Sequence, residues 1–275
     1  MSILITGASG KLGKLVIHEL KLLAPSQRIV ALVRKPGEAA DALAAQGIEV
    51  RYGDYDLPET LESACAGVTK LLLISSSHSD NDTRIAQHER VISTAIEAGV
   101  QHLLYTSFAF PAKGPIPPGH VHLLTEEAIR NSGIPYTILR NSLYTDFVGA
   151  LNLPKAVESG ELVTYPGDWA FNSVIREDLA AATAAVLVSE GHIDKIYELT
   201  APQTWDFEEL CSVLSELTGQ SIRHRQDEEA KSWLYGFLGS INTSAVSSDL
   251  EMLMKRQVTP LKASIRHFLL ESGNN

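Results

Sequence analysis

The 275-residue chain carries 23 basic and 33 acidic residues, a formal net charge of −10, which argues against a nucleic-acid surface built on clustered lysine and arginine. No apolar run approaches the about 18 residues of a membrane span, and no signal peptide is recognisable, so a cytoplasmic protein is expected. Cys65 and Cys211 fit no metal or redox spacing, and their apolar helical surroundings point to buried free thiols.

In chain order, a β-branched run at Ile3–Thr6 breaks into Gly7, Gly10 and Gly13, and a helix-period segment follows over Lys11–Leu23. Gly7 permits a tight turn off the strand. Gly10 lets backbone N–H groups approach a pyrophosphate, and Gly13 lets the helix pack close to the sheet. The helix N-terminus adds unpaired donors and partial positive charge. Strands then follow at Arg28–Val33, Ile48–Tyr52, Lys70–Ile74, His102–Thr106 and Tyr136–Leu139. Helices lie between them near Glu38–Gln46, Pro58–Ala66, Thr83–Ala98 and Val121–Asn131. Gly47, Gly67, Gly99 and Gly133 stand just past helices, where a left-handed residue is wanted. This alternation predicts an α/β fold with a doubly wound parallel sheet of the Rossmann type.

After Arg140 the rhythm changes. A loop over Asn141–Asp146 leads to a helix near Phe147–Ser159, a strand at Glu161–Thr164 and a turn at Pro166–Asp168. An alanine-rich helix covers Arg176–Ser189, a seventh strand Lys195–Thr200, and a helix Trp205–Thr218, capped by Asp206 or Thr204 and closed by Gly219. Residues 221–268 mix one short strand with helices. The expected organisation is a nucleotide-binding domain over 1–146, with 175–200 packing back on it, and a smaller C-terminal α/β substrate lobe from 147–174 and 201–275.

The end of the second strand bears on the cofactor. An acid there would bond the ribose 2′-hydroxyl and repel a 2′-phosphate, but this chain has Arg34-Lys35. Arg34 can grip a 2′-phosphate, so NADP(H) is expected over NAD(H). Asp54, past the third strand, either reaches the adenine amino group or caps the helix starting near Pro58. Ser75, Ser76 and Ser77 end the fourth strand with hydroxyls suited to ribose and phosphate, or form a plain serine turn. Thr106 and Ser107 end the fifth strand where nicotinamide and substrate should meet. Leu139-Arg140-Asn141 ends the sixth, and Asn141 could bond a carboxamide or the substrate. Phe108, Tyr144, Phe147 and Trp169 could line a flat pocket, or be ordinary core.

Two motifs are missing. No Tyr-x-x-x-Lys occurs, the pair in which lysine lowers a tyrosine pKa for carbonyl chemistry. Tyr136 and Arg140 share that spacing within a strand. His120 and His122 stand at a helix start instead, proton-donor candidates or surface residues. Gly10-Lys11 is not a nucleotide-hydrolase loop, because Ile5 and Leu12 occupy the places of its glycine and Ser/Thr.

The glycine spacing is GxxGxxG. With it stand Ile-Val-Ala-Leu-Val-Arg (29–34), Ala-Ala-Gln-Gly-Ile-Glu-Val-Arg-Tyr-Gly-Asp-Tyr (44–55) and Leu-Leu-Leu-Ile-Ser (71–75). Most specific are Gly-His-Val-His-Leu-Leu-Thr-Glu (119–126) and Ile-Pro-Tyr-Thr-Ile-Leu-Arg-Asn-Ser-Leu-Tyr-Thr-Asp-Phe (134–147). On these the chain resembles the NmrA-like branch of atypical short-chain dehydrogenases, and within it the bacterial NADPH-dependent quinone oxidoreductases and triphenylmethane-dye reductases. The resemblance runs to about Gly219 and returns weakly at 259–262. Lys11 replaces a common glutamine, and the region after Gln226 is shorter than in the dye reductases.

The resemblance implies an NADPH-dependent reductase of a small aromatic electron acceptor, a quinone or aryl dye, acting as monomer or homodimer. Cofactor contacts would fall on Gly7, Ala8, Ser9, Gly10, Lys11, Leu12, Arg34, Ser75 to Ser77 and Leu139 to Asn141. Tyr144 and the 167–173 loop would roof the substrate, and Asn141, Tyr144 and His120 are the catalytic candidates. The alternative is an NADP(H)-binding redox sensor without turnover.

Overall fold

The computed structural model describes residues 1–111 and 120–269. These fall into two compact units: 1–108, 120–141 and 179–197 in the first, and 109–111, 142–178 and 198–269 in the second.

The first unit is built on a seven-stranded sheet. Its strands are β1 (Ser2–Ile5), β2 (Arg28–Val33), β3 (Glu49–Tyr52), β4 (Lys70–Leu73), β5 (His102–Phe108), β6 (Tyr136–Asn141) and, further along the chain, β10 (Lys195–Leu199). Their order across the sheet is β10-β6-β5-β4-β1-β2-β3. From β3 to β6 every neighbouring pair is parallel. Helices α1 (Lys11–Leu23), α2 (Glu38–Ala45), α3 (Pro58–Cys65), α4 (Asn81–Glu97) and α5 (Val121–Asn131) connect them. The doubly wound expectation holds.

Central strands in such a sheet are covered on both faces, and Ile3, Leu4, Ile5, Leu71, Leu72 and Leu103 are accordingly inaccessible. Gly47, Gly67, Gly99 and Gly133 all take positive φ, between 69° and 77°, as helix ends require. Asp80 opens α4 by accepting from the Thr83 N–H at 2.8 Å.

Sequence periodicity ended two strands early. β5 reaches Phe108 and β6 reaches Asn141, because Ser107 and Asn141 are buried polar residues that keep the ladder going beyond the apolar run. Beneath them lies Glu126, wholly buried on α5. Its carboxylate takes a two-point fork from Arg140 at 2.9 and 2.7 Å, a third bond from Arg130 at 3.2 Å and the Ser107 hydroxyl at 2.6 Å.

The second unit holds β7 (Leu143–Tyr144) paired with β9 (Ser173–Val174), and β8 (Glu161–Thr164) paired with β11 (Arg223–Gln226). Part of the expected 141–146 loop is therefore strand. The helix expected over 147–159 is two pieces, a 3-10 stretch Thr145–Leu151 and α6 (Leu153–Ser159), parted at Asn152 with φ 51°. Pro154 explains the break: it has no N–H to continue a helix and suits a first turn. α7 (Arg176–Val188) leads into β10, and α8 (Phe207–Thr218) is capped by Asp206, not Thr204, through the Glu209 N–H at 2.8 Å. Trp205 lies outside the helix and bridges Phe171. The C-terminal part adds α9 (Trp233–Leu238), α10 (Asp249–Met254) and α11 (Leu261–Ser264).

This unit's core centres on Phe171, ringed by Phe147, Trp169, Trp205 and Phe207. Buried Asp178 on α7 tethers the later chain by bonding Arg256, the Thr259 N–H and the Thr259 hydroxyl at 2.7 to 3.0 Å. Cys65 and Cys211 are buried free thiols, each pushed up to about 11 by burial. Among the described residues no helix is long and apolar enough to cross a membrane.

Removing one partner of a buried pair strands the other charge. Glu126→Ala should lower the unfolding free energy by about 3 kcal/mol in urea titration. Lys262→Ala breaks an exposed pair with Glu216 and should cost under about 1 kcal/mol. Equal midpoints for the two variants would refute the assignment of Glu126 as a structural keystone.

Candidate functional site

The site begins where β1 runs into α1. Gly7 takes φ 58°, and its carbonyl accepts from the Gly10 N–H at 2.9 Å, closing the turn. A Cβ on Gly13 would lie 2.4 Å from that carbonyl oxygen and 2.9 Å from the Ala8 Cα. Only glycine fits there. Gly10 caps α1 with no side chain of its own, so the helix start stays open to an incoming anion. Ser9, Gly10 and Lys11 are exposed around the turn, while Ala8 and Leu12 are buried.

Beside the turn lies a cavity of about 550 Å³ lined by Ser9, Val33, Arg34, Lys35, Gly37, Glu38 and Asp54, among others. Arg34 and Lys35 are exposed, and among the described residues no carboxylate pairs with either. The volume suits a nucleotide, and Arg34 and Lys35 offer cations to a phosphate beside the Glu38 and Asp54 carboxylates. Asp54 serves its own turn: its carboxylate accepts from the Asp56 N–H at 3.0 Å and its backbone N–H bonds Thr60 at 2.9 Å. Of the two readings of Asp54, the helix cap is corrected: Leu57 stands at the α3 N-cap with no side-chain bond, and the Asp54 carboxylate closes the turn before it while lining the cavity.

At the ends of β4 and β5 the hydroxyls form one network. The Ser75 N–H donates to Thr106 Oγ1 at 2.9 Å, and the Ser76 hydroxyl donates to Gln87 at 2.6 Å. Arg84 Nη2 donates to the Ser75 hydroxyl at 2.9 Å. The Ser76 N–H donates to His88 Nε2 at 2.8 Å, which makes that nitrogen the acceptor of a neutral ring; its Nδ1–H therefore donates to Thr125 at 2.9 Å. Ser77 is exposed. Ser107 spends its proton on Glu126. Leu139 is inaccessible opposite Thr106, and buried Asn141 stands opposite Phe108.

Sequence reading missed Arg84, Gln87 and His88. Their signal was spacing: with Val91 they recur at helical period along the inward face of α4, where apolar residues are the rule.

His120 caps α5, its Nδ1 accepting from the His122 N–H at 3.4 Å. His122 Nδ1 bonds the buried Tyr105 hydroxyl at 2.8 Å, and the Phe108 ring lies 6.4 Å from the His122 ring. Burial and the nearby Arg84 charge hold His120 below the usual imidazole range and His122 well below it. His88 is pushed down to about 3 by the same causes. At neutral pH these rings are uncharged, a poor state for a proton donor. Gly119, next to His120 in the family-like segment, lies outside the described residues.

The other aromatic candidates belong to the second unit. Tyr144 sits under the Arg176 guanidinium at 4.2 Å. Phe147 stacks on Trp205 with an interplanar angle of 10°, and Trp169 stacks on Phe171 and bonds the Tyr165 carbonyl at 3.0 Å. Among the described residues no cluster of three or more His, Cys, Asp or Glu could hold a metal.

The NmrA-like family model matches residues 1–234. The chain belongs to this family. It is 42% identical over 228 residues to Quinone oxidoreductase 2 of Escherichia coli K12, covering 83% of this chain and 78% of that one. The crystal structure of the Citrobacter sp. triphenylmethane reductase complexed with NADP(H) matches with a TM-score of 0.89 and 44% identity, over 98% of this chain and all of that one. An Escherichia coli NADPH-dependent quinone oxidoreductase complexed with NADPH matches with a TM-score of 0.84 and 36% identity, over 96% and 99% of the chains. The family model stops at residue 234, not far past Gly219, while the structural match to the Citrobacter enzyme spans 98% of this chain and all of that one.

The cavity beside Arg34 generates a direct test. A charge-assisted bond contributes about 1.5–3 kcal/mol, so Arg34→Ala should weaken NADPH binding about ten- to a hundredfold and leave NADH nearly unaffected. Equal losses in titrations with the two nucleotides would overturn the role of Arg34.

Proposed function

We propose that this chain, an NADPH-dependent oxidoreductase, reduces a flat, electron-poor acceptor, a quinone or a triphenylmethane-type dye, without a tyrosine–lysine proton relay. The observation that carries the reading is the Arg34-Lys35 cavity beside the glycine turn of a chain so similar to reductases solved with NADP(H).

In this reading the turn from Gly7 to Leu12 binds the pyrophosphate through backbone N–H groups, Arg34 grips the 2′-phosphate and Asp54 borders the adenine. Ser75, Ser76, Ser77, Thr106, Ser107 and Asn141 form the nicotinamide end, and Leu139, wholly inaccessible, only backs it. When bound, NADPH supplies a hydride at its nicotinamide ring. The chain's contribution is orientation: Arg84, Gln87 and His88 hold the Ser75–Ser76 segment rigid, and the Glu126–Arg140 fork fixes the ends of β5 and β6. Tyr105 keeps its proton, since burial raises it above its ordinary value. His120 and His122 stay neutral. Phe108, beside the His122 ring, supplies aromatic surface for the acceptor.

Such acceptors need no strong acid from the chain. A cationic dye is neutralised by hydride alone, and a quinone becomes a hydroquinone anion that water protonates.

Mixing purified protein with NADPH and benzoquinone or a cationic dye should consume the reduced nicotinamide steadily, and NADH should be consumed far more slowly. Tight NADPH binding without turnover on any quinone or dye would replace the reductase with a redox sensor.

A further inference from the structure

Arg84 is distinct among the sheltered arginines of the described residues. Arg51, Arg140 and Arg176, whose side chains are at most 20% exposed, each pair with a carboxylate. Arg84 has only neutral partners, Ser75 Oγ at 2.9 Å and Asn81 Oδ1 at 3.2 Å. Its Nε is buried with no hydrogen-bond partner, and among the described residues no carboxylate pairs with it. A half-buried guanidinium without a counter-ion is costly. It is also a ready receptor for an oxyanion.

Its surroundings sharpen that role. His88, His120 and His122 lie within its field and are uncharged, so the cluster carries one unbalanced positive charge. It sits at the C-terminal ends of β4 and β5, the edge where ligands bind in doubly wound folds.

We propose that Arg84 receives the negative charge formed on the acceptor oxygen, and so makes this site favour neutral quinones over cationic aryl dyes. The inference rests on the reductase reading above and narrows its substrate class. A quinone that takes a hydride gains O–H at one oxygen, while the displaced electron pair settles on the other as a hydroquinone monoanion. A proton from water completes the hydroquinone, and the hydride's donor is left as NADP⁺. The guanidinium stabilises the monoanion and the transition state leading to it. A triarylmethyl cation takes hydride at its central carbon and ends neutral. Arg84 then gains nothing in the transition state and repels the acceptor beforehand.

The same oxyanion chemistry could come from a cofactor phosphate, so the test separates the two. For Arg84→Gln and Arg84→Lys, kcat/KM is measured with benzoquinone and with a cationic triphenylmethane dye, and the NADPH Kd by fluorescence titration. The ratio of quinone to dye kcat/KM should fall about ten- to a hundredfold in Arg84→Gln and recover in part in Arg84→Lys, with NADPH affinity within about twofold of wild type. Equal losses for both acceptors would overturn the proposal. So would an NADPH Kd that rises as far as the quinone rate falls, which would assign Arg84 to the cofactor.

A second arm needs no variant. On the wild-type protein with NADP⁺, 4-nitrophenolate should bind more tightly than nitrobenzene, and parity refutes the charge receptor. Failure of the wild type to turn over any acceptor removes the reductase reading, whereas the phenolate comparison still judges Arg84.

Discussion

The approach of α1 to the turn below it governs the first unit. Gly13 lies so near the Gly7 carbonyl and the Ala8 backbone that one added carbon would collide with main-chain atoms, which cannot swing aside as a side chain can. That closeness, with the left-handed Gly7, points the helix start at the end of β1. β1 stands between β4 and β2 in the sheet, so residues leaving those two strands flank the same turn. Arg34 follows β2, and Ser75, held by Arg84, follows β4.

A chain of net charge −10 therefore meets anions through placement, not through its overall field. Where Arg28, Arg140 and Arg256 are neutralised by carboxylates, Arg34 and Arg84 are left without one among the described residues. Around Arg84 the imidazoles are desolvated into neutrality. The inward polar face of α4 would be expensive if its groups were unmet. Gln87 and His88 offset that cost by holding Ser76 and Thr125, turning a helix stripe that normally packs oil into a brace for a loop.

The framework was legible because its signals are local. Strand and helix periods, the glycine trio and the C-terminal glycines each act within a few residues, and β2, α1 and α5 lie where their patterns put them. Two kinds of feature escaped. Buried polar residues such as Ser107 and Asn141 broke the apolar pattern that marks a strand, so β5 and β6 read short. Partnerships between distant residues, Glu126 with Arg140 or His88 with Ser76, leave no trace in spacing, since only the folded sheet brings them together. In the second unit, helix propensity ran across Asn152, and the proline beyond it decided the break.

The Asp178 tether has a bearing on biosynthesis. The residues it grips lie about 80 positions further along, and buried Ile265 belongs to the same apolar cluster as Leu143. Contacts so remote in sequence cannot close while residues 256–265 are still within the ribosome. The sheet bearing the glycine turn, by contrast, has its first six strands in hand by Asn141. Translation thus completes most of one half well before the other can settle, which leaves the aromatic interior of the second half as the surface most in need of a chaperone's shelter.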